Sequence, residues 1–136
     1  MPATLRDLAR EPIEQLGGKV AKRGRHVGRR SDEELHALRK ALKKLRYGVD
    51  HLAGLYGRKA VKHYLQGCKE LQELLGRMND AAVAGTLAQG LSADDAAGLA
   101  PAAGVVAQWS EKRRDKAMHH LSGAWARFQK ASPFWG

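Results

Sequence analysis

The stretch SDEELHALRKALKKLRYGVDHLAGLY, residues 31–56, decides the fold class of this chain. Its apolar residues recur three or four positions apart, which is the period of a helix that turns one face toward partner helices. They stand at positions 35, 38, 42, 45, 49, 52 and 56. Ser31 followed by Glu34 has the form of a capping box, in which each side chain binds the other residue's backbone. The pattern predicts an amphipathic helix that begins after Ser31, runs to about Tyr56 and stops at Gly57.

The same helix carries a basic face that is separate from its apolar face. At about 100° per residue, five polar side chains cluster on one side and two more basic residues flank them. The cluster is His36, Arg39, Lys40, Lys43 and Tyr47, and the flanking pair is Lys44 and Arg46. Neighbouring like charges on a helix repel each other by about 0.2–0.5 kcal/mol per pair. Two interpretations remain open: a bound anion neutralises this face, or the face is a solvated surface that tolerates the repulsion.

The positive charge of the chain is concentrated in one third of its length. The 136 residues include 24 Lys and Arg against 14 Asp and Glu, a net charge of +10. Residues 19–63 hold 14 of the basic residues and 4 of the acidic ones, which already accounts for the difference of +10. A concentrated positive field attracts polyanions such as nucleic acid, polyphosphate, anionic lipid or an acidic protein.

An N-terminal segment precedes the basic helix. Apolar residues between positions 5 and 20 predict a helix there, interrupted or kinked near Pro12 and the pair Gly17 and Gly18. The stretch 22–30 is basic, contains glycines and has few apolar residues, which predicts the end of this helix and a loop.

Two long helices follow the basic helix. The first is predicted to begin near Arg58 and to reach the high eighties, and a loop rich in Ala, Gly and Asp is predicted over residues 90–104. The last helix takes in Val105 and ends before Pro133. No segment alternates as a strand does. We therefore expect an all-α fold, an antiparallel bundle of three long helices plus a shorter N-terminal helix, forming a single domain over residues 1–136.

The last helix adds three candidate site residues. Arg113, Lys116 and His120 project near Trp109, at the edge of the apolar side of this helix. Basic side chains at such an edge either reach out to water or line an interior pocket, and the sequence leaves both alternatives open.

Several strings of this sequence resemble the CHAD domains, the conserved-histidine α-helical domains. The strings are LHALRK at 35–40, KKLRY at 43–47, LQELLGRMND at 71–80, and an ending with Trp125, Phe128 and PFW at 133–135. They occur in the order of the family's pattern and span roughly residues 30–136.

The resemblance implies a helical, basic domain that binds inorganic polyphosphate in a positively charged groove. The motif positions present in this chain are His36, Arg39, Lys43, Lys44, Arg46 and Tyr47. Lys40 matches the chemistry of these positions. Arg113, Lys116 and His120 come from the helical projection and not from the family motif.

One feature departs from the family pattern. Members of the family usually carry two similar helical halves, each with a basic helix that faces the other across the groove, whereas this sequence has one such helix. The chain is therefore interpreted as a half-length, single-repeat member or as the C-terminal half of a longer domain. We expect two chains to pair about a twofold axis and so rebuild the groove.

Other function classes fit the sequence less well. We expect no enzyme and no cofactor, because there is no carboxylate cluster for two-metal chemistry, no glycine-rich phosphate loop and no nucleophile with its base. No metal site is expected either. General polyanion or nucleic-acid binding is the alternative function, although no helix-turn-helix pattern and few exposed aromatic residues are predicted.

The sequence also suggests a location. The single cysteine, Cys68, falls in the apolar phase of its helix and is interpreted as a small buried residue. No signal peptide and no membrane span are recognised, so we expect no association with membranes. A cytoplasmic protein of a reducing compartment is predicted, and the resemblance adds an association with polyphosphate granules.

Overall fold

The computed structural model describes residues 4–93, 98–131 and 134–135, apart from the side chain of Arg6. The secondary structure of these residues is helical, with no strand, so the all-α prediction is confirmed. The helices are α1 Leu5–Arg23, α2 Asp32–Leu52, α3 Arg58–Ala93 and α4 Ala100–Lys130. Short 3-10 turns at Val27–Arg29 and Ala53–Leu55 join α1 to α2 and α2 to α3.

Helices α3 and α4 pack against each other in opposite directions. Arg127 forms an ion pair with Glu70, and Arg113 lies 3.5 Å from Asp80. The later α3 residue, Asp80, pairs with the earlier α4 residue, Arg113, and the earlier α3 residue, Glu70, pairs with the later one, Arg127. This order is possible only if the two helices are antiparallel. The expected antiparallel bundle is confirmed for this pair.

Helices α1 and α2 are also antiparallel. A Cβ placed on Gly48, near the end of α2, would lie 2.9 Å from the Leu16 Cδ1 atom of α1. Arg23, at the end of α1, shares a groove with Lys40, which lies nearer the start of α2. Gly48 therefore allows the close approach of α1, because any side chain at this position would meet Leu16.

One apolar cluster includes side chains from all four described helices. The predicted apolar positions of α2 lie in it, and those that are buried are Leu35, Leu38, Leu42, Leu45 and Val49. Cys68 of α3 is fully buried in the same cluster, which confirms its interpretation as a small core residue. The apolar face of α2 is thus covered, and its basic residues are left on the remaining surface.

The predicted capping box at the start of α2 is confirmed. The Ser31 hydroxyl accepts a hydrogen bond from the Glu34 backbone N–H at 3.2 Å, and the Ser31 N–H donates to Glu34 Oε1 at 3.1 Å. These hydrogen bonds, led by the one from the Ser31 backbone, together with that from Arg30, lower the pKa of the Glu34 carboxyl below its ordinary value.

The predicted interruption of the N-terminal helix is wrong. Helix α1 continues through Pro12 and both glycines, and its 19 residues make it only slightly shorter than α2 with 21. A proline inside a helix removes one backbone hydrogen bond, but Ile13 and Val20 are fully buried on one face of α1. Burial of each such side chain contributes about 1.5–3 kcal/mol, which offsets the cost of the proline.

Two predicted boundaries differ from the structure. Helix α2 ends at Leu52, four residues before Tyr56, because the chain tightens there into a 3-10 turn. The connection predicted over residues 90–104 is shorter, since α3 continues to Ala93 and α4 begins at Ala100. Pro101 lies in the first turn of α4, where its missing N–H costs nothing. Residues 94–97 of that predicted loop, and Pro133 of the predicted ending, lie outside the described residues.

Helices α3 and α4 extend beyond the start of α2. Asp32, the first residue of α2, pairs with Arg114 of α4 at 2.8 Å and lines a small cavity together with Ala82 of α3. Residues 83–93 and 100–110 therefore lie past the level of α2. We call these two segments the distal arm.

Candidate anion-binding site

The basic residues of α2 meet different helices at the two edges of their face. His36, Lys40 and Lys44 face α1, where they line a groove between the two helices. Arg46 faces α3 and donates a hydrogen bond to Gln72 Oε1 at 3.0 Å. Arg39 precedes Arg46 by seven positions, or about two turns, so it lies on the same side as Arg46. These two edges bound the single face that the sequence predicted, because its basic residues lie within about 160° of arc around α2.

The groove between α1 and α2 has a volume of about 320 Å³. We call it the basic groove, and its lining residues are Lys19, Arg23, Glu33, His36, Ala37, Lys40, Ala41 and Lys44. Two lysines from α2 and one lysine and one arginine from α1 face Glu33, the acidic residue in this lining. The methyl groups of Ala37 and Ala41 leave room between the longer side chains. The groove is therefore wide enough for an anion to approach several cations at once.

The surface toward α3 holds an arginine with one buried N–H donor that no described residue accepts. Arg39 is half-buried, and its Nε atom is buried with no hydrogen-bond partner. A buried donor without an acceptor costs about 1–3 kcal/mol. Lys43, also half-buried, lies between Arg39 and Arg46 along this side of α2. Tyr47, in contrast, is 61% exposed and stands at the edge of both surfaces.

The basic side chains of both surfaces are not neutralised by carboxylates. The ion pairs among the described residues involve Arg10, Arg30, Arg113, Arg114 and Arg127. None of them includes a basic residue of α2, or Lys19 or Arg23 of α1. The positive charge of these surfaces is therefore available to an external anion.

The three candidates on α4 are not among the residues that line the basic groove. Arg113 pairs with Asp80 of α3 and lies 5.1 Å from the centre of the Trp109 ring. Lys116 and His120 are exposed, and no hydrogen bond, ion pair or ring contact of the described residues joins either to the basic side chains of α2. The structure thus gives Lys116 and His120 the solvent-facing position that the sequence left as one of two alternatives.

The partners on α3 show the separation between α4 and the basic residues of α2. Gln72, which accepts from Arg46, and Glu70, which pairs with Arg127, stand two positions apart. Two positions correspond to about 200° around a helix. Arg46 of α2 and Arg127 of α4 therefore approach α3 from opposite sides.

Two residues of the basic groove were missed by the sequence analysis, Lys19 and Arg23. Their spacing of four positions places them on one side of α1, which is a signal in the sequence. The signal was missed because Arg23 belongs to the stretch 22–30, which was interpreted as the end of the helix and a loop.

Membrane-spanning helices and metal-binding clusters are absent from the described part of the chain. No described helix is long and apolar enough to cross a membrane, and no group of three or more His, Cys, Asp or Glu residues in this part of the chain could hold a metal ion. Burial raises the pKa of the Cys68 thiol to about 12, so this thiol stays protonated and unreactive at neutral pH.

Comparison with known proteins finds a family model that includes the basic helix α2 and begins nearer the N-terminus than the sequence motifs described above. The sequence model of the CHAD domain matches residues 2–89, which include α1, α2 and most of α3. This range contains every residue of the basic groove, whereas Arg113, Lys116, His120 and the ending at 125–135 lie outside it. No curated protein and no solved structure matches the chain. Because the match covers well over half of the sequence and includes the basic residues of α1 and α2, the chain belongs to the CHAD domain family.

Proposed function

We propose that this protein binds inorganic polyphosphate in the basic groove, without catalysing a reaction. The observation that carries the proposal is the set of unpaired Lys and Arg side chains that α1 and α2 present to one another. Membership of the CHAD family supports it, because this domain is associated with polyphosphate-related proteins.

The chemistry of the groove suits a linear anion with closely spaced charges. Lys40 and Lys44 recur one helical turn apart, at a rise of about 6 Å, so successive phosphates meet successive cations. Lysine acts as a mobile point charge, while the guanidinium of Arg23 offers two parallel donors to phosphate oxygens. His36 can donate a ring N–H to the same anion. Release of counterions from the polyanion drives the binding, which makes it strongly dependent on salt.

Arg39 provides a second contact at the edge of the basic face that lies toward α3. Its Nε–H has no acceptor among the described residues, and a phosphate oxygen would satisfy it. Lys43 lies one turn further along and adds a point charge. A polyphosphate long enough to pass over α2 would therefore contact both surfaces, so we expect affinity to rise with chain length.

The second candidate function is general polyanion or nucleic-acid binding. The exposure of Tyr47 favours this function, because its ring lies beside Lys43 and Lys44 and could stack on a base. A competition experiment separates the two functions. We expect polyphosphate to displace a DNA duplex at a far lower concentration of phosphate, whereas equal competition per phosphate would support the general binder.

A pair of charge reversals tests the groove directly. We expect the double variant Lys40→Glu and Lys44→Glu to lower the affinity for polyphosphate of defined length by about a hundredfold, because two cation contacts become repulsions. The measurement is calorimetric titration at fixed salt, with helicity followed by circular dichroism.

The matched control is the double variant Lys112→Glu and Lys116→Glu on α4. It has the same four-residue spacing and the same change in net charge, and both lysines are exposed. It should retain most of the affinity. An equal loss in both double variants would mean that only the net charge matters, and the basic groove would then not be the site.

Homodimerisation about a twofold axis stays a prediction. The basic groove has walls from two helices of one chain, so a single copy is expected to bind polyphosphate. Light scattering after size exclusion, with and without polyphosphate, measures whether two chains assemble and whether the ligand is needed for it.

A further inference from the structure

The distal arm has an apolar face that the described residues leave partly or fully exposed. Six residues form it, and we call them the arm face: Ala84, Leu87, Leu91, Ala102, Val106 and Trp109. On α3 they follow Asp80 by steps of four, three and four. On α4 they precede Arg113 by the same steps. Residues at such steps share one side of a helix.

The ion pair between Asp80 and Arg113 shows that the two stripes belong to one face. It joins α3 and α4 at the base of the distal arm, with the Trp109 ring against the Arg113 guanidinium. The stripe that continues from Asp80 and the stripe that continues from Arg113 therefore run side by side along the arm.

The larger apolar side chains of the arm lie outside, not between its helices. The buried residues between α3 and α4 here are small: Ala81, Ala88, Ala103 and Ser110. In contrast, Leu87 is 56% and Trp109 47% exposed, and the flanking Val83 and Val105 are 63% and 69% exposed. Large apolar residues grouped on an exposed face mark a surface that is covered in an assembly.

The other side of the distal arm is polar. Thr86 and Gln89 of α3 and Gln108 of α4 are exposed, and Gln89 stands about 200° from Leu87 around the helix. The arm is therefore amphipathic as a whole, with one side suited to water and the other to a partner.

We propose that the arm face binds the arm face of a second copy of this chain. Two helix pairs that meet through their apolar sides form a four-helix bundle, the same arrangement that α1 to α4 adopt within one chain. A twofold axis makes such a contact self-complementary, since each Trp109 and Leu87 meets the same patch on the other copy. This inference does not depend on polyphosphate binding.

The distribution of charge favours a second copy over a charged partner. Residues 83–93 and 100–110 contain no charged side chain, although the whole chain has a net charge of +10. An acidic or basic partner would find no ionic contact on this face. Two copies, in contrast, can approach here without placing like charges in contact.

The length of the arm keeps the basic parts of the two copies apart. From Asp80 to Ala93 the helix rises about 20 Å, whereas charges in physiological salt are screened beyond about 8 Å. If the arms lie antiparallel, the bundles of the two copies stand at opposite ends of the paired arms. Both basic grooves then remain open to solvent.

The substitution Leu87→Glu tests the pairing. Sedimentation velocity over a range of protein concentrations should give the wild type twice the chain mass of 14.9 kDa at the high end. Leu87→Glu should remain monomeric or raise the dissociation constant at least about tenfold, because a carboxylate would be buried without a partner. Its affinity per chain for short polyphosphate should not change.

The matched control is Gln89→Glu, which adds the same charge on the polar side of the same helix. It should assemble as the wild type does. A wild type that stays monomeric at every concentration overturns the inference. The arm face would then be left for a different protein, which is not what we propose. Equal dissociation in both variants also overturns it, since assembly would then not depend on the arm face.

Fluorescence gives a readout that does not depend on mass. Trp125 is buried and Trp135 half-buried, so the half-exposed Trp109 is the ring whose surroundings change on pairing. Its emission should shift to shorter wavelength as the protein concentration rises. This shift should be absent in Trp109→Phe, and its persistence in that variant would contradict the assignment to the arm face.

Discussion

The basic groove and the distal arm are both antiparallel helix pairs, but they expose opposite kinds of surface. In the basic groove, alanines lie between rows of Lys and Arg, and no ion pair of the described residues includes these basic side chains. In the distal arm, alanines lie between the helices and the larger apolar residues face outward without any charge. Where the small residues lie on a helix pair therefore determines which larger side chains are exposed to a ligand or to another chain.

The largest expected effect is on the position of α1, which forms one wall of the basic groove but no part of the distal arm. A Cβ on Gly24 would lie 2.0 Å from the buried ring of Trp125, so Gly24→Ala forces α1 away from α4. We expect a loss of about 3 kcal/mol of unfolding free energy in denaturant titrations, together with weaker polyphosphate binding. Pairing through the arm should persist under native conditions.

The control for this variant is Gly18→Ala. A Cβ at Gly18 meets no atom within 4 Å, and alanine is favoured over glycine in a helix by about 0.5–1 kcal/mol. The control should therefore be neutral or slightly stabilising. If both variants had the same effect on unfolding, the contact between Gly24 and Trp125 would not be what holds α1 in place.

The next effect concerns the unused donor of Arg39. Arg39→Met removes a charge and a buried Nε–H that has no acceptor, so we expect no loss of stability but an affinity for polyphosphate about tenfold lower. Arg46→Met, in contrast, breaks the hydrogen bond to Gln72 and should lower the stability as well. Paired measurements of unfolding and calorimetric titration distinguish them. A clear loss of stability in Arg39→Met would contradict the assignment of Arg39 to the ligand.

The smallest expected effect is a loss of stability in acid at the start of α2, where Glu34 belongs to the capping box. The folded state lowers the pKa of Glu34 below 4.5, chiefly through the hydrogen bond from the Ser31 backbone. The carboxylate therefore stabilises α2 above pH 4.5, and this contribution is lost as the pH falls through the lower, folded pKa. The N-cap residue of α4, Leu99, makes no side-chain hydrogen bond to the helix, so this cap has no such response.

The variant Glu34→Gln measures that contribution. It keeps a side chain able to accept the Ser31 N–H but does not titrate, so its unfolding free energy should vary less with pH below 4.5 than that of the wild type. Amide exchange at the start of α2 should show the same difference. Identical pH profiles for the two proteins would mean that the capping box does not respond to acid.

Much of the fold and part of the site could be predicted from short spacings. Leu35, Leu38 and Leu42 repeat with the period of a helix, and Ser31 with Glu34 marks where that helix begins. Such features depend on residues within one or two turns of each other. The path of α1 through Pro12 could not be predicted, because the burial that offsets the proline involves residues of other helices.

Local patterns of residues are enough to predict the helical class, the start of α2, the position of Cys68 in the core and the stretch of positive charge. Which helix each basic side chain meets depends on tertiary contacts. The tertiary structure brought Lys19 and Arg23 beside Lys40 and Lys44, turned Arg39 toward α3 and left Lys116 apart from them. Spacing within a helix sets the angle between its own side chains, whereas the rotation of one helix toward another depends on distant contacts. The approach of Trp125 to Gly24 is such a contact, and no local pattern contains it.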